Sequence, residues 1–354
     1  MRRREFLKAA EVSLVGTVLA GDIAGLSRIQ DSALAPKLYH HHGGGFRNLD
    51  PNFHQGEVSF VEFLAFIGRR LGSAPPLELP ATVEPAPDVL LRGQSKNSIT
   101  WVGHSTLLVR IEGRTFLTDP VWSSRVGPLN LLGPPRWTKS PVRIDQLPPI
   151  DGVVISHDHY DHLDKDALAE IASRNPSMVA VAPLGLRDSL HDIGVHNAVE
   201  LDWGEEFAIR GVSVHCEPAQ HFSGRSLFDR NSTLWASFAL IGKNSRLYFT
   251  GDSGYWTGFH DIGEKYGGFD VAAVPIGAYE PRSFMSPVHM NPEEAVQAFL
   301  DLKAQHFVPI HWGTYNLADE PFLEPPHRVR HEAERRDIPL ENFWLMKHGE
   351  TREW

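Results

Sequence analysis

Three histidines and two aspartates lie within the seven residues 156–162, Ser-His-Asp-His-Tyr-Asp-His. They directly follow the apolar run Asp-Gly-Val-Val-Ile, which predicts a short buried strand. Neutral imidazole and carboxylate groups are ligands for zinc and similar metals, and with no cysteine among them an open catalytic site is favoured over a closed structural one. The sequence therefore predicts a metal site where the chain leaves this strand, formed by His157, His159, Asp161 and His162.

Further candidate ligands lie at the ends of other predicted strands, because four residues are too few to hold two metal ions. His221 follows the run VSVHCEPAQ, Asp252 follows RLYFTG and His311 follows FVPI. Sheet-based folds commonly place their chemistry at such strand ends. Taken singly, each histidine would be an ordinary core or surface residue, and only the joint pattern indicates ligands. For the three consecutive histidines at 40–42, a plain loop or adventitious metal binding is favoured over a functional metal site.

Short apolar runs and helical patterns alternate along the rest of the chain. Strands are predicted within 98–119, 152–157, 178–183, 198–202, 207–218, 235–252, 271–279 and 306–313, and helices within 164–174, 184–194 and from Asn291. The runs form two series of strands and helices, each with strands that end at polar clusters. This pattern predicts an α/β fold in which two β-sheets face each other with helices outside, an αββα sandwich.

The first 35 residues have the features of an export signal. The run RREFLK at 3–8 resembles a twin-arginine motif, an apolar stretch follows at 12–21, and a small-residue cleavage site ends at Ala35. The alternative is a basic amphipathic helix that stays on the protein. We expect export to a periplasmic or membrane-associated location.

Residues 36–97 are predicted to be an N-terminal extension of a catalytic domain at 98–354. Residues 57–72 predict an apolar helix, for which core packing is favoured over a lipid-facing or partner-facing surface. The proline-rich run at 75–90 predicts an extended linker. The net charge of −10 works against a nucleic-acid partner, whose phosphates would be repelled.

Several longer motifs carry a family resemblance over roughly residues 95–350. SHDHYDHLD, FTGDSGY and IHWGT resemble the metallo-β-lactamase superfamily. Together with TWVGHSTLLVRIEGRTFLTDP, FDVAAVPIGAYEPRSFM, NPEEAV and LEPP, they narrow the resemblance to the N-acylphosphatidylethanolamine-hydrolysing phospholipases D and their bacterial relatives. In this chain Ser253 replaces the threonine more usual in that family.

The resemblance implies a site with two zinc ions, although manganese or iron would also fit. His157, His159 and His221 would hold the first ion. The second would be held by Asp161, His162 and His311, with Asp252 bridging the two ions.

The implied reaction is hydrolysis of a phosphodiester by a metal-bridging hydroxide, with Asp252 and Asp161 as catalytic metal ligands. Phospholipase D-type cleavage of N-acylphosphatidylethanolamine or a related phospholipid would give phosphatidic acid and an N-acylethanolamine. The alternatives are a lactonase or other ester hydrolase, and a metal-containing binding protein without turnover. Expected partners are the phospholipid substrate, a membrane surface bound peripherally, and a second copy in a homodimer.

Weaker candidates each have an alternative structural role. Asp164 would orient a ligand imidazole or cap the following helix. Tyr160 would donate to phosphate or pack, and Arg282 would bind phosphate or form a salt bridge. His289 would serve as general acid or be a loop histidine. The remaining candidate substrate contacts are Gln220 and Tyr279.

A lipid substrate also requires exposed apolar surface near the metals. Phe60, Phe63, Phe66 and the Trp-, Leu- and Pro-rich segment 121–137 are candidates for such a rim. Segment 121–137 would alternatively form a packed lid.

Overall fold

The computed structural model describes residues 39–51, 53–54, 65–66, 68–70, 73–86, 89–90, 96–226 and 228–354. All described residues lie within one compact unit, Tyr39–Trp354. The signal-peptide prediction and the proposed rim residues Phe60 and Phe63 lie outside the described residues. Among those described, no helix is both long and apolar enough to cross a bilayer.

The first large sheet has seven strands in the spatial order β15-β3-β4-β5-β6-β7-β8. Its strands are β3 (Ser98–Gly103), β4 (Thr106–Ile111), β5 (Arg114–Thr118), β6 (Gly152–Val154), β7 (Val179–Pro183), β8 (Ala198–Leu201) and β15 (Thr351–Glu353). The strands from β15 to β5 pair antiparallel, and those from β5 to β8 pair parallel. The carboxyl ends of β5 and β6 therefore meet at one edge.

The second large sheet has six strands in the order β14-β13-β12-β11-β10-β9. Its strands are β9 (Glu206–Ile209), β10 (Val212–Glu217), β11 (Ser237–Ile241), β12 (Arg246–Phe249), β13 (Phe269–Pro275) and β14 (Ala304–Ile310). Strands β12, β13 and β14 are parallel, so their carboxyl ends also lie together. A small hairpin, β1 (His41–His42) and β2 (Gly45–Phe46), precedes both sheets.

Alternate side chains of the strands face two different cores. In β4, Leu107 and Val109 belong to the core between the two sheets, whereas Leu108 belongs to a second core with the helix side chains Leu168 and Ile171. This two-residue alternation is what a strand buried on both faces requires. The αββα sandwich predicted from the sequence is confirmed.

The helices lie outside the sheets. They are α1 (Lys165–Arg174), α2 (Arg187–His191), α3 (Gly258–Tyr266), α4 (Arg282–Met285), α5 (Pro292–Asp301) and α6 (Glu324–Arg335), with short 3₁₀ turns at Pro128–Asn130, Ile144–Gln146 and Leu340–Asn342. Helix α5 begins as predicted: Asn291 accepts from the amide of Glu294, whose side chain accepts from the amide of Asn291, and Pro292 occupies the first turn.

The described part of the N-terminal extension packs on the catalytic domain. Phe66, one of the proposed rim residues, contacts Phe284 edge to face with ring centroids 5.1 Å apart. Arg70 is buried and forms a salt bridge with Asp319 at 2.8 Å. In the linker, the amide of Val83 donates to a carbonyl near the C-terminus. Phe66 therefore belongs to packing between segments and does not form a free apolar rim.

Candidate metal centre

The predicted ligands converge because the parallel strands of both sheets end at the same side of the sandwich. His157 and its neighbours follow β6, Asp252 follows β12 and His311 follows β14. The approach of the two sheets is close: a Cβ on Gly251 would lie 2.5 Å from the Cβ of Ser156. Gly251 also has φ of +61°, a conformation that glycine adopts without strain.

Three imidazoles form the first ligand group. The Nε2 of His157 lies 2.8 Å from the Nδ1 of His159, which lies 3.3 Å from the Nε2 of His221. His157 and His221 are buried, while His159 is partly exposed. Ring nitrogens this close, facing one another, are the arrangement that a shared cation at about 2.0–2.1 Å from each would stabilise.

The second group combines two carboxylates with two imidazoles. The Oδ2 of Asp252 lies 3.1 Å from the Nε2 of His162 and 3.1 Å from the Nε2 of His311. The Oδ2 of Asp161 lies 3.3 Å from the Nε2 of His311 and 3.6 Å from the Nε2 of His162. These four atoms therefore surround one common position, and Asp161 lies on the side of it that is partly exposed.

Asp252 belongs to both groups. Its Oδ2 is 3.8 Å from the Nε2 of His221, in addition to its contacts in the second group. Among the described protein atoms, the buried Asp252 Oδ1 and His162 Nε2 have no hydrogen-bond partner. Buried polar atoms without partners are costly, and a cation on them removes that cost. The donors present thus fit a metal centre, and Asp252 lies within reach of both groups.

The electrostatics of the cluster favour cation binding. Burial holds the pKa of His157 and of His221 well below the usual range, so both are neutral, as a ligand must be. Burial also opposes charge on Asp161 and Asp252, but the neighbouring imidazoles together outweigh it, and the pKa of each carboxyl lies well below its ordinary value. His162 and His311 act on both carboxyls, and His104 acts on Asp161.

The two imidazoles of the second group respond to these carboxylates. Burial opposes the charged form of His311, but Asp252 and Asp161 raise its pKa to about 9. The pKa of His162 is likewise raised well above the usual value, because Asp252, Asp161 and Asp119 outweigh its burial. Protons and a metal ion therefore compete for the same nitrogens.

Asp119 orients a ligand and was not predicted. It follows β5, and its Oδ2 lies 2.6 Å from the Nδ1 of His162. The backbone amide and the hydroxyl of Ser156 donate to the same carboxylate at 2.7 and 2.5 Å. A buried carboxylate on the far nitrogen fixes the ring so that Nε2 faces the metal position. Asp119 carries the same sequence signal that was used for the ligands, which is a polar residue directly after a predicted strand.

His104 is a second residue that the sequence did not identify. Its Nε2 lies 3.2 Å from the Oδ2 of Asp161, and its ring centroid is 4.1 Å from that of His311. Burial lowers the pKa of His104 to about 3, so the ring is neutral and can donate one hydrogen bond to Asp161. This contact positions a ligand carboxylate.

The N-terminal extension contributes to the site through Asn48. Its side-chain amide donates to the carbonyl of His221 at 2.8 Å, and its Oδ1 accepts from the amide of His221 at 3.0 Å. The Nδ1 of His221 is 3.0 Å from the carbonyl of Val288. Both the backbone and the ring of this ligand are therefore fixed. Asn48 ends the glycine-rich fragment GGGFRN at 43–48.

His289, the candidate general acid, lies beside the ligands. Its Nδ1 is 3.8 Å from the Oδ2 of Asp252, and burial lowers its pKa to about 4. Arg282 holds this loop: its guanidinium donates to the carbonyl of His289 at 3.1 Å and pairs with Glu294 at 2.7 and 2.8 Å. Arg282 thus forms the salt bridge that was its alternative role. Gln220 donates to the carbonyl of Pro287 in the same loop.

The other weak candidates have structural partners. Tyr160 lies between ligands, donates to the carbonyl of Arg225 at 3.0 Å and lies under its guanidinium. Tyr279 is fully buried with the guanidinium of Arg328 4.8 Å from its ring centre, which argues against an exposed substrate contact. Asp164 caps α1 by accepting from Ala167 and does not contact a ligand imidazole. The expectation that it orients a ligand is corrected.

Comparison with known proteins agrees with this architecture. A family model described as the beta-lactamase superfamily domain matches residues 114–312. An uncharacterized protein of Mycobacterium tuberculosis is 41% identical, with 87% of this chain and 83% of that protein covered. The N-acyl-phosphatidylethanolamine-hydrolyzing phospholipase D 1 of Caenorhabditis elegans is 43% identical, with 72% of this chain and 75% of that protein covered.

A solved structure shows the same fold. It is a metallo hydrolase from Ignicoccus hospitalis, 23% identical, with a TM-score of 0.57 and coverage of 73% of this chain and 99% of that one. The family model and the relatives above show that the chain belongs to the metallo-β-lactamase superfamily and is a metal-dependent hydrolase.

Proposed function

We propose that this protein is a phosphodiesterase of the phospholipase D type, which hydrolyses N-acylphosphatidylethanolamine or a related phospholipid to phosphatidic acid and an N-acylethanolamine. The observation that carries the proposal is the pair of ligand groups joined through Asp252. Two metals sharing a carboxylate suit phosphoryl transfer, in which charge develops on both the attacking and the leaving oxygen. The identity of 43% to the worm phospholipase D supports the lipid substrate.

We propose zinc as the metal at both positions, with manganese or iron as alternatives. His157, His159 and His221 would hold one ion, and Asp161, His162 and His311 the other. Imidazole and carboxylate donors without thiolates suit these metals. When bound, the ions would act as Lewis acids on a phosphate oxygen and lower the pKa of water.

The chain's own residues position the reaction. The neutral ring of His289, 3.8 Å from Asp252, carries one N–H that can bond to a phosphate or leaving oxygen. Arg282 keeps that ring in place through the His289 carbonyl. A water oxygen forms a bond to phosphorus, the bond from phosphorus to the ethanolamine oxygen breaks, and that oxygen leaves with a proton as N-acylethanolamine.

We also propose export by the twin-arginine route, which carries folded proteins and would allow metal loading before transport. The basic motif RREFLK at 3–8 and the apolar stretch at 12–21 support this proposal. A homodimer is a further proposal. Fractionation of the producing cells and sedimentation of the purified protein test the two separately.

The test of the function is a competition experiment. Zinc-loaded protein is mixed with vesicles containing N-acylphosphatidylethanolamine, phosphatidylethanolamine and a simple lactone, and the products are identified by mass spectrometry. We expect phosphatidic acid with the matching N-acylethanolamine, and loss of turnover in Asp252→Ala. Asp261→Asn, which removes a carboxylate that is 88% exposed on α3, is the control and should retain activity. Lactone opening alone would overturn the substrate assignment.

A further inference from the structure

Three leucines project from one surface hairpin. We call residues 125–136 the leucine hairpin, because Leu129, Leu131 and Leu132 at its tip are 86%, 71% and 61% exposed. A contiguous group of exposed large apolar side chains is uncommon on a soluble surface and marks an interaction site.

The leucine hairpin is held by its own backbone. Its neck is narrow, since a Cβ on Gly127 would lie 2.4 Å from the carbonyl oxygen of Leu132 and one on Gly133 would lie 2.2 Å from that of Val126. At its tip Leu129 has φ of +58°, which is unfavourable for leucine. Strained positions persist only where the surrounding structure imposes them. The close contacts at Gly127 and Gly133 therefore fix the two sides of the neck against each other.

Hydrogen bonds hold the leucine hairpin at its base, and a further hydrogen bond at its tip joins it to α1. The guanidinium of Arg125 donates to the carbonyl of Gly133 at 2.8 Å, and the amide of Arg136 donates to that of Ser124 at 2.8 Å. At the tip, the side-chain amide of Asn130 donates to Asp166 in the first turn of α1 at 2.7 Å.

A cationic groove lies at the base of the same hairpin. Its cavity of about 540 Å³ is lined by residues that flank the leucine hairpin, by Arg136 at its end and by the last turns of α1. Four of its side chains are cationic and two are acidic: Arg136, Lys139, Arg143, Arg174, Asp145 and Glu170. The groove thus carries a local positive excess on a protein whose net charge is −10.

The leucine hairpin is also connected to the metal centre. Val126 packs with Val121 and Tyr315, and Tyr160 packs on this cluster from between the metal ligands. The hydroxyl of Tyr315 accepts from Arg136 at 2.5 Å, and its ring lies edge-on to His104 with centroids 5.1 Å apart. His104 in turn contacts the ligand Asp161, so a short chain of contacts joins the hairpin to the site.

We propose that the leucine hairpin inserts into the surface of an anionic phospholipid bilayer while the cationic groove faces the headgroups, which seats the metal centre at the membrane. Apolar side chains beside a basic patch are the combination that binds interfacially to such a surface. The biological value of this surface rests on the proposed function, since an enzyme with a lipid substrate must reach the bilayer. Binding itself does not require turnover, and the two are tested separately.

The first test measures vesicle binding by co-sedimentation of the zinc-loaded full chain. Vesicles of phosphatidylcholine mixed with phosphatidylglycerol are compared with vesicles of phosphatidylcholine alone. We expect Leu129→Ser/Leu131→Ser/Leu132→Ser to raise the lipid concentration for half-binding by about 100-fold, at about fivefold per partly inserted leucine. The matched control replaces three leucines exposed elsewhere, Leu77, Leu79 and Leu300, and should bind like the natural protein.

A second variant tests the charge. Lys139→Glu/Arg174→Glu reverses two cations of the groove, and we expect a loss of at least tenfold in affinity for anionic vesicles, since one basic residue near such a surface is worth about fivefold. The loss should shrink on neutral vesicles and at high salt. All substituted side chains line the groove or are exposed, and thermal melts monitor folding. Equal binding by the hairpin variant and the natural protein would overturn the proposal, as would equal affinity for anionic and neutral vesicles.

Measurements of turnover distinguish the proposed docking surface from the proposed function. Phosphatidic acid formation is measured on substrate in vesicles and on substrate dispersed in detergent. We expect the hairpin variant to lose at least tenfold more activity on vesicles than in detergent. Vesicle binding without phosphatidic acid would refute the phospholipase function and retain the docking surface. If the leucine substitutions leave phosphatidic acid formation unchanged both on vesicles and in detergent, the proposed function is retained and the docking surface is refuted.

Discussion

Replacing Asp119 by asparagine tests whether a residue outside the ligand set controls one metal position. The carboxylate is fully buried, and it accepts from the amide and hydroxyl of Ser156 while its Oδ2 lies 2.6 Å from the Nδ1 of His162. Asparagine keeps the shape of the side chain, but it has one acceptor oxygen and no charge. The backbone amide of Ser156 donates to Oδ1, whereas the hydroxyl of Ser156 and the imidazole of His162 both contact Oδ2. Because that amide can only donate, the asparagine oxygen should face it, and an NH2 group then takes the place of the oxygen that accepts from His162.

The expected loss of zinc affinity follows from the role of the contact between Asp119 and His162. Removing the partner of a ligand imidazole costs about 10- to 100-fold in metal affinity, or about 1.4–2.7 kcal/mol. The loss should fall on the ion held by the second group, because His162 belongs to it. Asp119 reaches the first group indirectly, through the Ser156 hydroxyl 2.9 Å from the Nδ1 of His157, so the affinity of that group should fall less. Titration of the metal-free protein with zinc against a competing chelator yields the two dissociation constants separately.

Asp164→Asn provides the matched control. Asp164 is also a buried aspartate that follows the metal-binding run, but its oxygens accept from Trp122, Ser123 and Ala167 and contact no ligand. We expect it to lower the melting temperature through loss of the α1 cap while both zinc dissociation constants stay unchanged. Equal zinc affinities in Asp119→Asn and the natural protein, or an equal loss in Asp164→Asn, would refute the reasoning.

Three other perturbations have defined outcomes. Asn48→Ala removes the hydrogen bonds to the backbone of His221 and should cost about 2–4 kcal/mol of unfolding free energy, measured by urea denaturation, and weaken zinc in the first group. Glu332→Gln should lower stability by about 1 kcal/mol at pH 7, because hydrogen bonds from Arg335 and Arg336 hold the pKa of Glu332 at about 2 against an ordinary 4.5. That contribution is present above pH 4.5 and is lost as the pH falls towards 2, so urea denaturation of the two proteins should converge at low pH. Chelation of the metals should lower the melting temperature and remove turnover, and zinc should restore both; activity that survives complete chelation would contradict the metal assignment.

The convergence of the candidate metal-binding residues could be predicted because most of them share one local signature. A histidine or aspartate directly after an apolar strand was visible without knowledge of the fold, and parallel strand ends then bring such residues together. The roles of Asp119 and His104 depend on contacts between separate strands, which sequence spacing does not reveal. For Arg282, the sequence left two roles open, and the choice depended on Glu294 lying beside it.

Three helices, α3, α4 and α6, were not predicted, and α4 is only four residues long. Helix α3 contains Gly263, which lowers helix propensity, yet it is required there because a Cβ would lie 2.1 Å from the carbonyl oxygen of Asp301. Helix α6 is dominated by charged residues, and its buried apolar side chains include only Val329 and Ala333 beside a first-turn proline. Its apolar stripe is too narrow to be recognised without the α5 helix that it covers.

The most direct test of the central claim is to run the reaction in water enriched in oxygen-18. If water attacks phosphorus, one labelled oxygen appears in the phosphatidic acid and none in the N-acylethanolamine, as read by mass spectrometry of both products. Label in the N-acylethanolamine would mean cleavage of the carbon–oxygen bond, and label in a free fatty acid would mean ester hydrolysis. Either result would contradict a phospholipase D-type phosphodiesterase.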